Sequence, residues 1–185
     1  MRVITGSAGG RRLLELEGRE TRPTTSRVKE GIFSALQFDI EGRRVLDLFA
    51  GTGQMGIECL SRGAASAVFV EARRDAAALV KQNLALTGLA DRAVVVNGDA
   101  RDYVVRTAEQ FDLVFLDPPY ASGQLEEMLG RLTAPGFDIL RPYGIIVAEH
   151  PAGKSLPALP PLYRLRRTYR YGKIAVSLFR READE

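Results

Sequence analysis

Short apolar runs alternate with amphipathic segments along most of this chain. Short apolar runs predict strands near 44–49, 66–70, 92–96, 111–116 and 144–149, and the run at 111–116 is typical of a buried central strand. Apolar positions with helical spacing predict helices near 54–62, 73–87, 100–108 and 123–133. Strands that alternate with helices favour right-handed βαβ units. The pattern therefore predicts an α/β fold with a mostly parallel, doubly wound sheet.

The two ends of the chain follow different patterns. Segments 2–5 and 12–16 predict a short hairpin, and an apolar stripe predicts a helix near 27–38. After a proline-rich stretch, segments 163–170 and 173–180 predict a terminal antiparallel hairpin that turns at 171–172. We therefore expect two parts: an N-terminal hairpin and helix extension over residues 1–40, and a main domain over residues 41–182.

Composition narrows the class of protein. With 185 residues and 45% hydrophobic content, the chain suits one domain with a small appendage. Its apolar runs are shorter than the ~20 residues that span a bilayer, and the N-terminus lacks the apolar segment of a signal peptide. The single cysteine, Cys59, excludes an internal disulfide and fits a reducing compartment. We expect a cytoplasmic protein that makes no membrane contact and is monomeric.

Positive charge is concentrated at both ends of the chain, although the formal net charge is only +3. The region from Lys154 to Arg181 contains no acidic residue, and tyrosines interrupt its basic residues. Basic segments with interleaved aromatic residues favour contact with a nucleic acid, although solvated strand faces are an alternative. The predicted RNA contacts are Arg11, Arg22, Arg27, Arg164, Arg166, Arg167, Arg170 and Lys173.

A glycine-rich loop follows the first strand of the main domain. Gly51, Gly53 and Gly56 fit the dinucleotide-binding pattern, and Glu71 follows at the spacing of its ribose-binding acid. An NAD-dependent oxidoreductase is therefore one hypothesis. Asp47 argues against it, because a carboxylate beside the loop repels a pyrophosphate and attracts the sulfonium and ammonium groups of S-adenosylmethionine (SAM).

Four acidic residues follow or close four successive strands: Asp47, Glu71, Asp99 and Asp117. The carboxyl ends of parallel strands form the ligand-binding edge of an open α/β sheet. We expect Glu71 to accept hydrogen bonds from ribose hydroxyls and Asp99 to accept one from the adenine amino group. Acidic residues at four successive strand ends favour SAM over NAD as the cofactor.

The motif Asp117-Pro118-Pro119-Tyr120 ends the fourth predicted strand. Neither proline can donate to a sheet ladder, so the strand stops at a rigid corner. Asp-Pro-Pro-Tyr at such a corner is typical of enzymes that methylate exocyclic amino groups of nucleobases. The predicted catalytic residues are Asp117, Pro118, Pro119 and Tyr120; a proline-rich turn with a surface tyrosine is the alternative.

Together these motifs resemble class I SAM-dependent methyltransferases. The N-terminal segments Arg2–Arg11 and Arg22–Phe33 are similar to those of one family in particular, the RsmD family of bacterial 16S rRNA (guanine-N2)-methyltransferases. The resemblance implies a seven-stranded Rossmann-like sheet, SAM as cofactor, and 16S rRNA in the assembling small ribosomal subunit as partner. The implied cofactor contacts are Asp47, Phe49, Ala50, Gly51, Thr52, Gly53, Glu71, Ala72, Asp99, Ala100 and Asp117.

Alternatives to this interpretation stay open. An N6-adenine methyltransferase acting on DNA or another RNA shares the Asp-Pro-Pro-Tyr motif, and a non-catalytic RNA-binding assembly factor could retain SAM. No metal is required for methyl transfer from SAM. The Glu149-His150 pair is interpreted as structural, because no further ligand set accompanies it in the sequence.

Overall fold

The computed structural model describes residues 1–16 and 26–183, which divide into two compact units, Met1–Ala100 and Arg101–Glu185. Seven strands are ordered β3-β2-β1-β4-β5-β7-β6 in one sheet. This order and the alternation of strands with helices match the predicted doubly wound fold. The predicted boundary between residues 1–40 and 41–182 stays a prediction.

The first unit contains three parallel strands and three α-helices. The strands are β1 (Arg44–Asp47), β2 (Ser66–Glu71) and β3 (Ala93–Asn97), with β2 in the middle. The helices are α1 (Ser26–Ala35), α2 (Gln54–Ser61) and α3 (Arg74–Thr87), and a 3₁₀ turn spans Ala90–Arg92. Most large aliphatic and aromatic side chains of β1, β2 and the helices are buried, whereas Val94 of β3 is exposed.

The second unit contains the remaining four strands and two helices. These are α4 (Ala100–Arg106), β4 (Phe111–Leu116), α5 (Gln124–Leu132), β5 (Leu140–Pro151), β6 (Tyr163–Tyr171) and β7 (Ile174–Arg181). Strand β4 is parallel to β5, whereas β7 is antiparallel to both β5 and β6. The terminal hairpin predicted from the sequence is present, and it turns at Gly172, which has a φ of 63°.

Strand β5 is longer than its apolar run predicted. It begins at Leu140, four residues before the predicted start, and the pairing with β4 shifts register between Phe111 and Leu113. Pro142 and Tyr143, which has a φ of 65°, lie at this irregular start. A proline and a left-handed residue interrupt a regular strand, so the pattern could not reveal the extension.

The N-terminal hairpin is reduced to a single antiparallel bridge between Arg2 and Arg12. Backbone hydrogen bonds from Val3 to the Arg11 carbonyl and from Gly10 to the Val3 carbonyl close the turn. Glu58 of α2 is fully buried and accepts hydrogen bonds from the amides of Ile4 and Thr5. The hairpin is thus attached to α2 by side-chain contacts that no hydropathy pattern shows.

Candidate active site

The glycine-rich loop connects β1 to α2 through a tight turn. Gly53 precedes the helix with a φ of 82°, a conformation that residues with a Cβ atom rarely adopt. A Cβ atom on Gly56 would lie 2.3 Å from the ring of Phe69, so this glycine allows α2 to pack closely on β2. Backbone conformation therefore explains the glycine at position 53, and packing explains the one at position 56, without any ligand.

Asp47 lies beneath this loop at the end of β1. Its side chain is only 4% exposed, and it accepts a 3.3 Å hydrogen bond from the amide of Gly56 in the first turn of α2. Burial raises the pKa of Asp47 to about 7, and the negative charge of Glu71 adds to the increase, although the hydrogen bond from Gly56 lowers it. A cation bound beside Asp47 would favour the ionised form, whereas a phosphate there would be repelled.

Glu71 joins the end of β2 to the glycine loop. One carboxylate oxygen accepts a hydrogen bond from the amide of Gly51 and the other accepts one from the amide of Arg73, both at 2.8 Å. A carboxylate has about four lone-pair positions, so two hydrogen bonds leave acceptor capacity for the hydroxyls of a ribose. The side-chain amide of Asn97 fixes the same turn by donating to the carbonyls of Glu71 and Ala72.

Asn83 of α3 fixes the glycine loop from the other side and was not predicted from the sequence. Its side chain is fully buried, and its amide nitrogen donates to the carbonyls of Thr52 (2.9 Å) and Leu14 (3.2 Å). Its amide oxygen accepts a 2.7 Å hydrogen bond from the Leu14 backbone. One side chain therefore holds both the loop and the N-terminal segment.

The remaining predicted cofactor contacts of the first unit are placed around this loop and the ends of β2 and β3. Phe49 is half-buried and Ala50 is buried, and the Ala50 amide donates to the Val70 carbonyl of β2. Ala72 and Asp99 are exposed, and Asp99 lies two residues after the last residue of β3. Ala100 is buried and begins α4.

In the second unit, the Asp117–Tyr120 motif forms the predicted corner directly after β4. Asp117 is exposed, Pro118 is buried, and Tyr120 is half-buried. The Pro119 carbonyl accepts hydrogen bonds from both the hydroxyl (2.6 Å) and the amide (3.1 Å) of Ser122. These bonds and the two prolines hold the corner in one conformation before α5 begins.

The hydroxyl of Tyr120 donates a 2.9 Å hydrogen bond to the Glu149 carboxylate on β5. Glu149 is 8% exposed. The sequence did not indicate this contact, because Glu149 was interpreted only as half of a structural pair with His150. The alternation of side chains along β5 separates the two, placing Glu149 and His150 on opposite faces of the strand.

His150 belongs to a separate hydrogen-bond chain. Its Nδ1 donates to the Pro151 carbonyl (3.0 Å), so its neutral Nε2 accepts from the Ser177 hydroxyl (2.9 Å). Burial lowers the pKa of His150.

Within residues 1–16 and 26–183, no group of three His, Cys, Asp or Glu side chains is arranged to hold a metal ion. In the same part of the chain, no helix is long and apolar enough to cross a membrane.

The predicted RNA contacts are dispersed over both units. Arg11 donates to the Leu86 carbonyl of α3 (2.7 Å), Arg27 is exposed on α1, and Arg22 lies outside the described residues. On the terminal hairpin, Arg164 is 76% exposed, and Arg166 occupies a register shift between Leu165 and Arg167. Arg167, Arg170 and Lys173 are exposed.

Comparison with known proteins identifies the family. The family model described as "Conserved hypothetical protein 95" matches residues 1–180. The chain belongs to this family. It is 37% identical over 184 residues to the ribosomal RNA small subunit methyltransferase D of Escherichia coli (strain K12), covering 100% of this chain and 91% of the relative. It is 39% identical over 184 residues to YlbH of Bacillus subtilis (strain 168), covering 98% and 99% of the two chains.

A solved structure agrees with the sequence relatives. The Escherichia coli protein yhhF covers 100% of this chain and 99% of its own, with 35% identity and a TM-score of 0.89. The RsmD resemblance and the Rossmann-like fold class predicted from the motifs are therefore confirmed.

Proposed function

We propose that this chain transfers a methyl group from SAM to the exocyclic N2 of a guanine in 16S rRNA. The observation that carries this proposal is the full-length similarity to a ribosomal RNA small subunit methyltransferase, in a chain that keeps both the acidic glycine loop and Asp117-Pro118-Pro119-Tyr120. We further propose that it acts in the cytoplasm, where an enzyme that modifies ribosomal RNA would meet its substrate.

The residues around the glycine loop fit SAM better than a dinucleotide. Asp47 is buried beneath the first turn of α2, where a dinucleotide would need its pyrophosphate to bind. The sulfonium and ammonium groups of SAM would instead be attracted by this carboxylate. A Cβ position on Gly51 has no atom within 4 Å, so the loop surface is open at this point. Asp47, the loop and Glu71 would hold the cofactor, with Asp99 toward the adenine.

The cofactor supplies an activated methyl group on its sulfonium, so the protein must orient a weak nucleophile. The lone pair of a guanine amino group is delocalised into the ring. In this proposal Asp117 and the Pro118 carbonyl accept hydrogen bonds from that amino group, which favours a pyramidal nitrogen. Tyr120 stacks on the base, and Asp117 or solvent takes the released proton. The rigid corner holds these groups before the substrate arrives.

A guanine in this position has left its base stack, which costs a few kcal/mol and is least costly in loops and junctions. Basic residues toward both ends of the chain, among them Arg164 and Arg167, would contact phosphates and fix the RNA without reading its sequence. We expect the protein to act as a monomer.

The test is methylation of small-subunit rRNA, free or assembled into particles, from an Escherichia coli strain that lacks its own relative of this protein. Radiolabelled SAM followed by nucleoside analysis identifies the product. N2-methylguanosine supports the proposal. N6-methyladenosine, or incorporation into DNA alone, would replace it with the adenine alternative, since both classes share the Asp-Pro-Pro-Tyr motif.

A further inference from the structure

Strand β6 is an edge strand with two chemically different faces. Directly paired residues of antiparallel strands point to the same side of the sheet. Pairing with β7 therefore places one set of side chains on one face, called here the Tyr169 face: Arg164, Arg167, Tyr169 and Tyr171. The opposite face, called the cavity face, carries Leu165, Thr168 and Arg170.

The cavity face borders a cavity of about 480 Å³. Leu165, Thr168 and Arg170 line it, together with Lys154 and Leu156 of the preceding proline-rich segment. Lys154 is paired with Glu126 at 2.6 Å, so part of the positive charge at this cavity is compensated. Arg170 therefore points to the opposite side of the sheet from Arg164 and Arg167.

The Tyr169 face lies on the same side of the sheet as the Tyr120–Glu149 contact. Tyr169 pairs with Val176 of β7, and Val176 pairs with Glu149 of β5. All three residues therefore point to one side, with Tyr169 about 10 Å from Glu149 across two strand spacings. Since Tyr120 is hydrogen-bonded to Glu149, the proposed base-stacking residue and the Tyr169 face belong to one side of the second unit.

The side chains of the Tyr169 face suit a single-stranded nucleic acid. The guanidinium of Arg167 lies 5.2 Å from the ring centre of Tyr169, and Arg167 is exposed. Arg164 is exposed too, and its Nε lies 3.9 Å from the Glu182 carboxylate, a longer ion pair than that of Lys154. Tyr169 and Tyr171 are half-buried, so their rings are fixed while part of each surface stays accessible. Aromatic rings that stack on bases, beside arginines that contact phosphates, are the usual means of binding single strands.

We propose that RNA nucleotides flanking the modified guanine bind along the Tyr169 face of β6, with bases stacked on Tyr169 or Tyr171 and phosphates near Arg164 and Arg167. This inference rests on the proposed function and specifies which surface receives the RNA. It separates Arg167 from Arg170, although the two lie only three residues apart and carry the same charge. An alternative role for the arginines is to prevent edge-to-edge pairing of β6 with another sheet.

The test compares substitutions on the two opposite faces of strand β6. Arg167→Ala and Arg170→Ala each remove one positive charge, and Tyr169→Ala is compared with Tyr169→Phe, which keeps the ring. Binding to unmodified small-subunit rRNA and to a short single-stranded oligoribonucleotide is measured across a salt titration. Steady-state methylation then gives KM for RNA and kcat, and thermal unfolding shows whether each variant is folded.

The proposal predicts that Tyr169→Ala weakens RNA binding about tenfold, while Tyr169→Phe binds like the wild type. Arg167→Ala should weaken binding and make the salt dependence shallower by about one ion, whereas Arg170→Ala should change neither. KM for RNA should rise while kcat changes little.

Two results would overturn the inference. If Arg170→Ala weakens binding as much as Arg167→Ala, or more, then the RNA either contacts the cavity face or binds through net positive charge without preference for a face. If Arg167→Ala and Tyr169→Ala both bind RNA normally, the RNA does not contact the Tyr169 face. Aggregation of these variants would then show that the face protects an edge strand. In both cases wild-type methylation of rRNA would still support the proposed function. If the wild type binds RNA, loses affinity in Tyr169→Ala and yet never methylates RNA, only the proposed methyltransferase function is refuted.

Discussion

The hydroxyl of Tyr120 donates to the carboxylate of Glu149 at 2.9 Å, which connects the corner after β4 to the neighbouring strand β5. This hydrogen bond restrains the ring that we propose stacks on the target base. A ring fixed at both its Cα and its hydroxyl loses little further freedom when the base arrives. Glu149 is therefore expected to act through Tyr120, as a positioning residue.

The first prediction concerns this pair. Tyr120→Phe and Glu149→Ala should each lower kcat/KM about tenfold, because a hydrogen bond to a charged group contributes roughly 1.5–3 kcal/mol. The double variant should lose little more than either single variant, since both remove the same contact. Tyr163→Phe, which removes a hydroxyl that donates to Leu132, is the control and should leave kcat/KM unchanged. Additive losses in the double variant would show that the two residues act independently.

The second prediction concerns SAM affinity and pH. Burial raises the pKa of Asp47 to about 7, and SAM cations should bind the ionised form. The affinity of the wild type should therefore fall as pH decreases below 7, approaching tenfold per pH unit. Calorimetric titration between pH 7.5 and pH 5.5 measures this dependence, and Asp47→Asn should bind weakly at every pH. A wild-type affinity that does not vary over this interval would exclude Asp47 from cation binding.

The third prediction concerns stability without SAM. Since the pKa of Asp47 is about 7 when folded and about 4 when unfolded, folding takes up a proton between these pH values. This group's contribution to stability therefore falls as pH rises from 4 to 7 and stays unfavourable above 7. Asp47→Asn should raise the free energy of unfolding at pH 8 by up to about 4 kcal/mol, and by much less at pH 4. Urea unfolding at both pH values measures this, and equal effects would contradict the linkage.

The fourth prediction concerns Asn83, which contacts both the Thr52 carbonyl and the Leu14 backbone. Asn83→Asp removes the amide donors while keeping an acceptor for the Leu14 amide, so it should loosen the glycine loop and weaken SAM binding about tenfold. Thr87→Ala, one turn later on α3, removes a hydroxyl bonded only within that helix and is the matched control. It should lower stability without changing SAM affinity. If both variants weaken SAM binding equally, the effect reflects stability alone.

The sequence predicted most strands and helices well because their apolar residues are buried in a regular pattern, although β3 has no fully buried residue. The apolar stripe of α1 is an example, since Val28, Ile32 and Phe33 are all buried, as is Leu36 directly after the helix. The start of β5 was missed because Pro142 and Tyr143 interrupt the strand pattern while the backbone still pairs. Irregular backbone of this kind leaves no periodic signal.

Side-chain partners from distant positions could not be predicted in the same way. Asp47 and Glu71 were identified because a strand end places them at a known edge of the sheet. Asn83 lies within a helix and Glu149 within a strand, and each matters only because of a partner brought near by folding. The sequence also grouped Arg167 with Arg170 as neighbours in a basic cluster, whereas strand pairing places them on opposite faces.

The identity of the methylated nucleoside distinguishes a guanine-N2 methyltransferase from the adenine alternative. Small-subunit rRNA lacking the modification is incubated with radiolabelled SAM and either the wild type or Asp117→Ala, and the labelled nucleosides are separated. We expect N2-methylguanosine with the wild type and none with Asp117→Ala, although this variant should still bind SAM. Label in N6-methyladenosine, or equal turnover by Asp117→Ala, would contradict it.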